Sequence, residues 1–276
     1  MEQMEMTTMN LPVLALRGLT IFPGCILTFD VEREISIRAL ERAMESDQQV
    51  FLVAQREVGV ALRGERDLYQ VGTISVIRQI LRISETAVRV MTEGKSRARM
   101  RRLWQTEPYL QANVEPMGEL HARISDSQLE ALLRQTYVNF GEYASHAPRI
   151  SEELAAAVMD DRDPGHLADF IAQNIALRHQ DKQMILEEIR PVPRLRKVNE
   201  LLAREAEVLS VEQELEGKIR QQMGEVQRDN IIREQIRLLQ RELGEDDDSE
   251  LNEYRQRIEE LDLAEEVREK LLKEVD

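Results

Sequence analysis

The hydrophobic period of this chain changes once, at Pro116-Met117-Gly118, and that switch limits what it can fold into. Upstream, apolar residues alternate in short runs, the period of two that strands require. Downstream they recur at threes and fours, as on amphipathic helices. Candidate strands lie at 11–16, 26–31, 50–54, 69–83, 86–93, 97–104 and 109–115. They are separated by turn signals such as Phe22-Pro23-Gly24 and Ser84-Glu85. One short helix at 34–46, with Ile37, Leu40 and Met44 on a face, interrupts them. Without βαβ alternation, seven short strands predict a curled antiparallel sheet or pseudo-barrel rather than a Rossmann core.

The helical part begins at 125–144, where Leu129, Leu132, Leu133, Thr136, Tyr137 and Phe140 share a side. Ser151 caps a second helix at 151–160, and Asp163-Pro164 supplies an N-cap and an N1 proline for a third. A fourth at 180–190 stops at Pro191-Val192-Pro193. Residues 194–243 contain no proline and would extend roughly 75 Å as a single helix. Leu195, Val198, Leu202, Leu209, Leu215, Ile219, Met223 and Val226, then Ile232, Ile236, Leu239 and Leu243, form a narrow coiled-coil-like seam. The seam slips between Val226 and Ile232, so the first part is expected to pack on the bundle and the remainder to project. Gly244 reads as a C-cap and 245–248 as a hinge, ahead of a final helical pair at 249–261 and 264–275. The last pair ends in mid-pattern, which predicts a chain that continues past residue 276.

Charge divides at the same place. Residues 1–118 carry 15 Lys+Arg and 15 Asp+Glu, so the whole net charge of −15 resides in the helical part. That acidity argues against nucleic acid as the main partner. One cysteine excludes an internal disulfide framework and fits a reducing compartment. No stretch approaches a membrane span, and MEQMEMTTMN lacks signal-peptide features. The expected location is the cytoplasm.

Catalytic constellations are missing. Gly59 and Gly64 have P-loop spacing, but Glu65 stands where lysine is needed, which favours a plain connecting loop. His121, His146, His166 and His179 are scattered without metal-ligand spacing, and no GxSxG or SxxK occurs. Cys25 beside the Pro-Gly turn reads as a structural thiol more readily than as a nucleophile. Lys95, Arg97, Arg99 and Arg101 alternate on one strand face. They form a possible electrostatic patch for phosphate or an acidic peptide, a charged guard on an edge strand, or a dock for an acidic helix of this same chain. Met91 on a strand and Met223 on the long helix are adaptable side chains suited to low-specificity contacts, with core filling the plainer reading.

Several blocks resemble the N-terminal region of the ATP-dependent protease Lon: LPVLALRGLTIFPG (11–24), REISIRALERAM (33–44), FLVAQREV (51–58), DLYQVGTISVIRQ (67–79) and RVMTEGKSRARM (89–100). In the helical part DPGHLADFIAQ (163–173), KQMILEE (182–188) and QRDNIIREQIRLLQRELGE (227–245) continue the resemblance in the family's order. Ala15 and Gly18 depart from the proline and the acidic or Asn residue that many members have.

The resemblance implies an α+β fold: an N-terminal PUA-like antiparallel β pseudo-barrel, then an α-helical bundle with a very long coiled-coil-like helix. The expected divisions are a disordered tail at 1–9, a β-rich substrate-recognition subdomain at 10–118, and a helical bundle at 119–193. A linker helix at 194–243 and a helical hairpin at 244–276 complete them. The resemblance also implies a non-catalytic role in substrate recognition and oligomerisation. The parent would be an ATP-dependent serine endopeptidase that forms homohexamers and degrades misfolded and regulatory proteins. The ATPase loop and Ser–Lys dyad are not in this sequence, so no catalytic residue, metal ligand or cofactor contact is assigned here, and ATP with Mg2+ belongs to the parent. Unfolded or damaged proteins are the expected partners, with Met91 and Met223 as contact candidates. The competing expectations are a stand-alone adaptor or chaperone-like module, and an RNA-binding PUA-like domain, which the acidity disfavours.

Overall fold

The computed structural model describes residues 8–121, 123–242, 245–261 and 265–275. They form two compact units that divide between Ser210 and Val211.

The first unit opens with six strands: β1 (Met9–Leu16), β2 (Ile26–Val31), β3 (Gln49–Ala54), β4 (Val71–Arg82), β5 (Val88–Gln105) and β6 (Gln111–Pro116). A helix, α1 (Glu34–Met44), lies between β2 and β3. The sheet order is β2-β5-β4-β3-β1-β6, and an added β5–β6 pairing closes five strands into a ring with β2 on its flank. The expected pseudo-barrel is present, with two corrections. The sheet is mixed, because β1 and β3 run parallel. The chain between them passes through β2 and α1, so β3 returns beside β1 in the same direction. The two strands expected at 86–93 and 97–104 are one, β5. A turn was unnecessary because β5 bends at a bulge: Ser75 pairs with Gly94 and Ile74 with Ser96, leaving Lys95 as the extra residue. A side chain at Gly94 would collide with the Phe22 carbonyl, so this bend requires glycine.

Two cores sandwich the sheet. Leu11, Val13, Phe51, Ile74, Ala98, Met100 and Val114 come from all five ring strands and fill its interior. Leu14, Leu52, Phe29, Ile77 and Val90 pack on the other face beneath Ala39, Leu40 and Ala43 of α1. Burial on both faces explains why VFLVA in β3 is continuously apolar instead of alternating. On α1 the buried set is centred on Ala39, Leu40 and Ala43, and Met44 is exposed.

The bundle comprises α2 (Asp126–His146), α3 (Glu152–Asp160), α4 (Pro164–Asn174), α5 (His179–Glu187) and the start of α6 (Pro191–Glu242). Ser125, Ser151 and Asp163 cap α2, α3 and α4 through their side chains. Pro191 begins α6 rather than only stopping α5, because the first helical turn has no use for its missing N–H. Leu195, Val198, Leu202 and Ala206 of α6 bury against Leu167, Ile171 and Phe140.

Barrel and bundle are joined by apolar and ionic contacts. Phe22, from the turn after β1, is fully buried in the bundle core with Cys25 and Val71. Beside it Arg97 of β5 grips Asp169 of α4 with both arms of its guanidinium (2.8 and 2.5 Å) and donates Nε to the Leu186 carbonyl (2.9 Å). Arg194 of α6, wholly buried, lies 3.1 Å from the same carboxylate and also pairs with Glu119. Burial pushes the Asp169 carboxyl above the ordinary carboxylate range, while Arg97 and Arg194 counter that push. Gln183 Nε2 donates to the Val71 carbonyl (2.9 Å) and the Phe22 N–H to Gln173 (3.2 Å), extending the seam.

In the second unit, α6 runs to Glu242, followed by α7 (Glu245–Glu260) and α8 (Glu265–Val275). Residues 245–248 are the first turn of α7 rather than a hinge. Residues 1–7 of the expected tail, Leu243 and Gly244 lie outside the described residues, and Met9 already belongs to β1. Ile258 is buried where α7 meets α8.

Two stability measurements test the joint. Asp169→Ala leaves two buried guanidiniums short of their counter-charge and should cost about 3–5 kcal/mol in urea unfolding followed by Trp104 fluorescence. A loss below about 1 kcal/mol would contradict a structural role for the cluster. The second concerns Glu188, whose carboxyl is held down from 4.5 to about 2, chiefly by the Arg190 side chain and with help from Lys197. A depressed folded pKa stabilises fully above the ordinary value and fades as pH falls toward 2. Glu188→Gln should therefore cost about 1–2 kcal/mol at pH 7, allowing for solvent around Arg190, and the deficit should shrink between pH 4.5 and 2. A pH-independent deficit would refute this linkage.

Candidate functional site

The bulges in β4 and β5 decide which side chains the β2–β5–β4 corner turns away from the α1-side core. Phe29, Val90 and Ile80 pair across the three strands on the core face. The opposite face therefore carries Ile26 and Thr28 of β2, Met91 of β5, and Gln79 and Leu81 of β4. Thr28, Met91 and Gln79 form one cross-strand row. Ile26 and Leu81 stand diagonal to Met91 on either side, within reach of long side chains. Ile26 is 61% exposed and Leu81 56%, and Met91 is half-buried between their strands. Ile83, just beyond β4, is 49% exposed.

Charge pairs frame this apolar diagonal. Arg89 binds Asp30 through two bonds (2.7 and 2.9 Å), and Glu93 accepts from Arg78 (2.6 Å) and Lys95. The carboxyls of Asp30 and Glu93 are held below their ordinary values, by Arg89 and by Lys95 with Arg78 respectively. The surface thus offers flexible apolar contacts inside an ion-paired rim. Full burial of one such side chain is worth about 1.5–3 kcal/mol, which suits weak, sequence-tolerant binding.

The basic residues do not form one surface patch. Lys95 is the bulge residue and pairs with Glu93; Arg101 is tied to Glu115. Arg97 is 3% exposed and belongs to the Asp169 cluster, where it docks a helix of this same chain. Arg99 is exposed on the same strand. Low dielectric at the joint claims the one member of the stripe that faces the bundle.

Cys25 is buried, and burial, aided by Asp169, pushes its thiol up to about 12 despite Arg97 and Lys182. Its thiolate is scarce at neutral pH, which disfavours nucleophilic chemistry. The loop with Gly59 and Gly64 does not fit a phosphate: the N–H groups of Arg63 and Gly64 donate to the Asp67 carboxylate (2.7 and 3.2 Å). Glu65, in place of the P-loop lysine, accepts from the Leu103 N–H (3.0 Å). Among the described residues no group of three or more His, Cys, Asp or Glu could hold a metal, and no helix is long and apolar enough to cross a membrane.

Met223 lies in the second unit, 68% exposed on α6, where Val211, Leu215, Ile219, Ile232, Ile236 and Leu239 are also about half exposed or more. Sequence reasoning missed Ile26 and Leu81 as companions of Met91. Ile26 lies out of step with the buried Phe29 and Val31 of its strand, whereas Leu81 is in step with buried Ile77 and is turned outward only by the register shift between Ile77 and Gln79.

Residues 10–204 match the model of the ATP-dependent protease La (LON) substrate-binding domain. The chain is 37% identical over 273 residues to the Lon protease of Clostridioides difficile, covering 97% of this chain and 35% of that protein. To the Lon protease of Heliobacterium modesticaldum it is 36% identical over 277 residues, covering 100% of this chain and 34% of that one. It thus spans about a third of the length of these curated relatives. The fold is similar to the solved N-terminal domain of the Mycobacterium avium complex Lon protease, with a TM-score of 0.57 at 22% identity over 71% of this chain and 98% of that one. By these matches the chain belongs to the Lon protease family, whose substrate-binding domain occupies residues 10–204.

Proposed function

We propose that this chain is the substrate-recognition and self-association region of a Lon-like ATP-dependent serine protease of the cytoplasm. The observation that carries the reading is the match to a substrate-binding domain across 10–204, on a fold that presents Ile26, Met91 and Leu81 together. In this reading the diagonal captures exposed apolar segments of unfolded or damaged proteins. Thioether and aliphatic side chains adapt to many sequences, and the ion-paired rim keeps the surface soluble. ATP hydrolysis with Mg2+ and peptide cleavage fall to other modules of the parent protein. The divisions at 10–118, 119–193 and 194–243 are proposed as functional ones: capture, support, and linkage.

Self-association is proposed for the exposed seam of α6. Val211, Leu215 and Ile219 recur at four-residue spacing without burial in their own unit, as expected of a helix that pairs with a second copy. Assembly into a hexamer is the parent's proposed state.

Met91→Ser with Leu81→Ser should weaken binding of a permanently unfolded protein about tenfold, and leave the response to its folded form unchanged. Anisotropy titration measures this, and unaltered affinity would sink the role of the diagonal. For the seam, sedimentation over a concentration series should show reversible association, abolished by Leu215→Gln with Ile219→Gln. A wild-type chain that stays monomeric throughout would overturn the self-association part.

A further inference from the structure

A second feature of the barrel has no role in the account so far. Two neighbouring depressions, of about 290 and 410 Å3, share Arg17 and Arg33 in their walls. Leu14, Leu19 and Phe29 line the first; Ile35, Leu62 and Leu110 line the second. Arg17 follows β1, and Arg33 is the N-cap residue of α1, where its side chain makes no capping bond. Among the described residues each guanidinium makes one hydrogen bond: Arg17 Nε donates to Gln55 Oε1 (3.0 Å), and Arg33 Nη2 to the Ala15 carbonyl. A guanidinium has five N–H donors, so most of both forks is uncommitted.

No carboxylate pairs with either arginine among the described residues. Asp30 lines the first depression but is held by Arg89, and Glu32 and Glu107 line the walls without pairing to Arg17 or Arg33. Burial, and then the nearby Arg17 charge, pushes the Arg33 guanidinium below its ordinary value. Two like charges, one half-buried and beside the positive end of a helix, form an arrangement that an incoming anion relieves. Apolar side chains stand on both sides of the pair, Leu19 and Phe29 in one wall and Ile35, Leu62 and Leu110 in the other, among polar ones that include Glu32 and Glu107, so the fitting anion is one flanked by apolar groups. A phosphodiester strand would leave those walls unfilled, whereas a peptide satisfies guanidinium and wall together.

We propose that Arg17 and Arg33, with the apolar side chains that line the depressions on either side, recognise a carboxylate in substrate proteins that has apolar neighbours. The carboxylate is either an acidic side chain or the C-terminus. This deepens the substrate-binding reading above and rests on it. It adds a charge-selective contact to the sequence-tolerant one at Met91.

The test is fluorescence anisotropy on the full 276-residue chain with four labelled peptides. One carries Leu-Leu-Glu-Leu-Leu with an amidated end, and a second is its Gln counterpart. A third ends in Leu-Leu as the free acid, and the fourth is its amide. At least one acid should bind about tenfold tighter than its neutral partner, with the advantage weakening as salt shortens the Debye length. Which acid wins identifies the source of the carboxylate. Arg17→Gln, at an exposed position where an amide can still reach Gln55, should abolish the advantage, and Arg17→Lys should retain part of it. Equal binding of acid and neutral peptides overturns the proposal, as does an acid advantage that survives Arg17→Gln. Arg17-dependent binding of a single-stranded oligonucleotide without any peptide preference also overturns it. Wild-type capture of a permanently unfolded protein, alongside no acid preference, would sink this inference alone and leave the substrate-binding reading standing.

Discussion

The first unit depends on one carboxylate. Asp169 sits in the interior between the guanidiniums of Arg97 and Arg194, and each belongs to a different element. A buried ion costs several kcal/mol in lost hydration, which only close, well-directed partners offset. That requirement fixes geometry: β5, α4 and α6 can approach in the register that completes the cluster, and alternatives strand a charge. Hydrophobic burial around Phe22 supplies most of the attraction, but it tolerates sliding. The arginine forks do not. Gly165 of α4 leaves the room that Arg194 and Glu119 occupy.

The same strand carries both the joint and the proposed capture surface. Met91 lies on one side of the Gly94–Lys95 bulge in β5, and Arg97 on the other. The bulge reverses the strand's phase, so Val90 and Arg97 come to share a face, and Met91 takes the opposite one. Without the extra residue, Arg97 would fall on the ring-interior side, where a charge has no partner. A local irregularity thus lets one strand dock a helical bundle and present an adaptable apolar surface a few residues earlier. The Arg17–Arg33 pair lies elsewhere on the barrel, at the end of β1 and the start of α1, and gives that module a second kind of contact.

Much of this was legible in the sequence. Strand and helix periods, the caps at Ser125, Ser151 and Asp163, and the glycine turn at Phe22-Pro23-Gly24 are local signals, and local structure follows them. The parallel β1–β3 pairing was not legible, because alternation shows which residues are buried and not which strand lies beside them. The bulge escaped notice because Lys95 reads as one more member of an alternating basic stripe, and that stripe dissolves once its phase is broken. Arg97 and Asp169 are 72 residues apart, and nothing near either one announces the other. Ile26 and Leu81 were hidden for the same reason, as neighbours of Met91 only through register.

The central claim is that substrate is held on the β2–β5–β4 corner that the barrel–bundle joint keeps in place. Its most direct measurement is photo-crosslinking from an unfolded protein bearing a reactive probe, followed by mapping of the attachment sites on this chain. The account predicts adducts concentrated at Ile26, Leu81, Ile83 and Met91 and their immediate neighbours. Adducts confined to α2–α5, with that corner unlabelled, would contradict it.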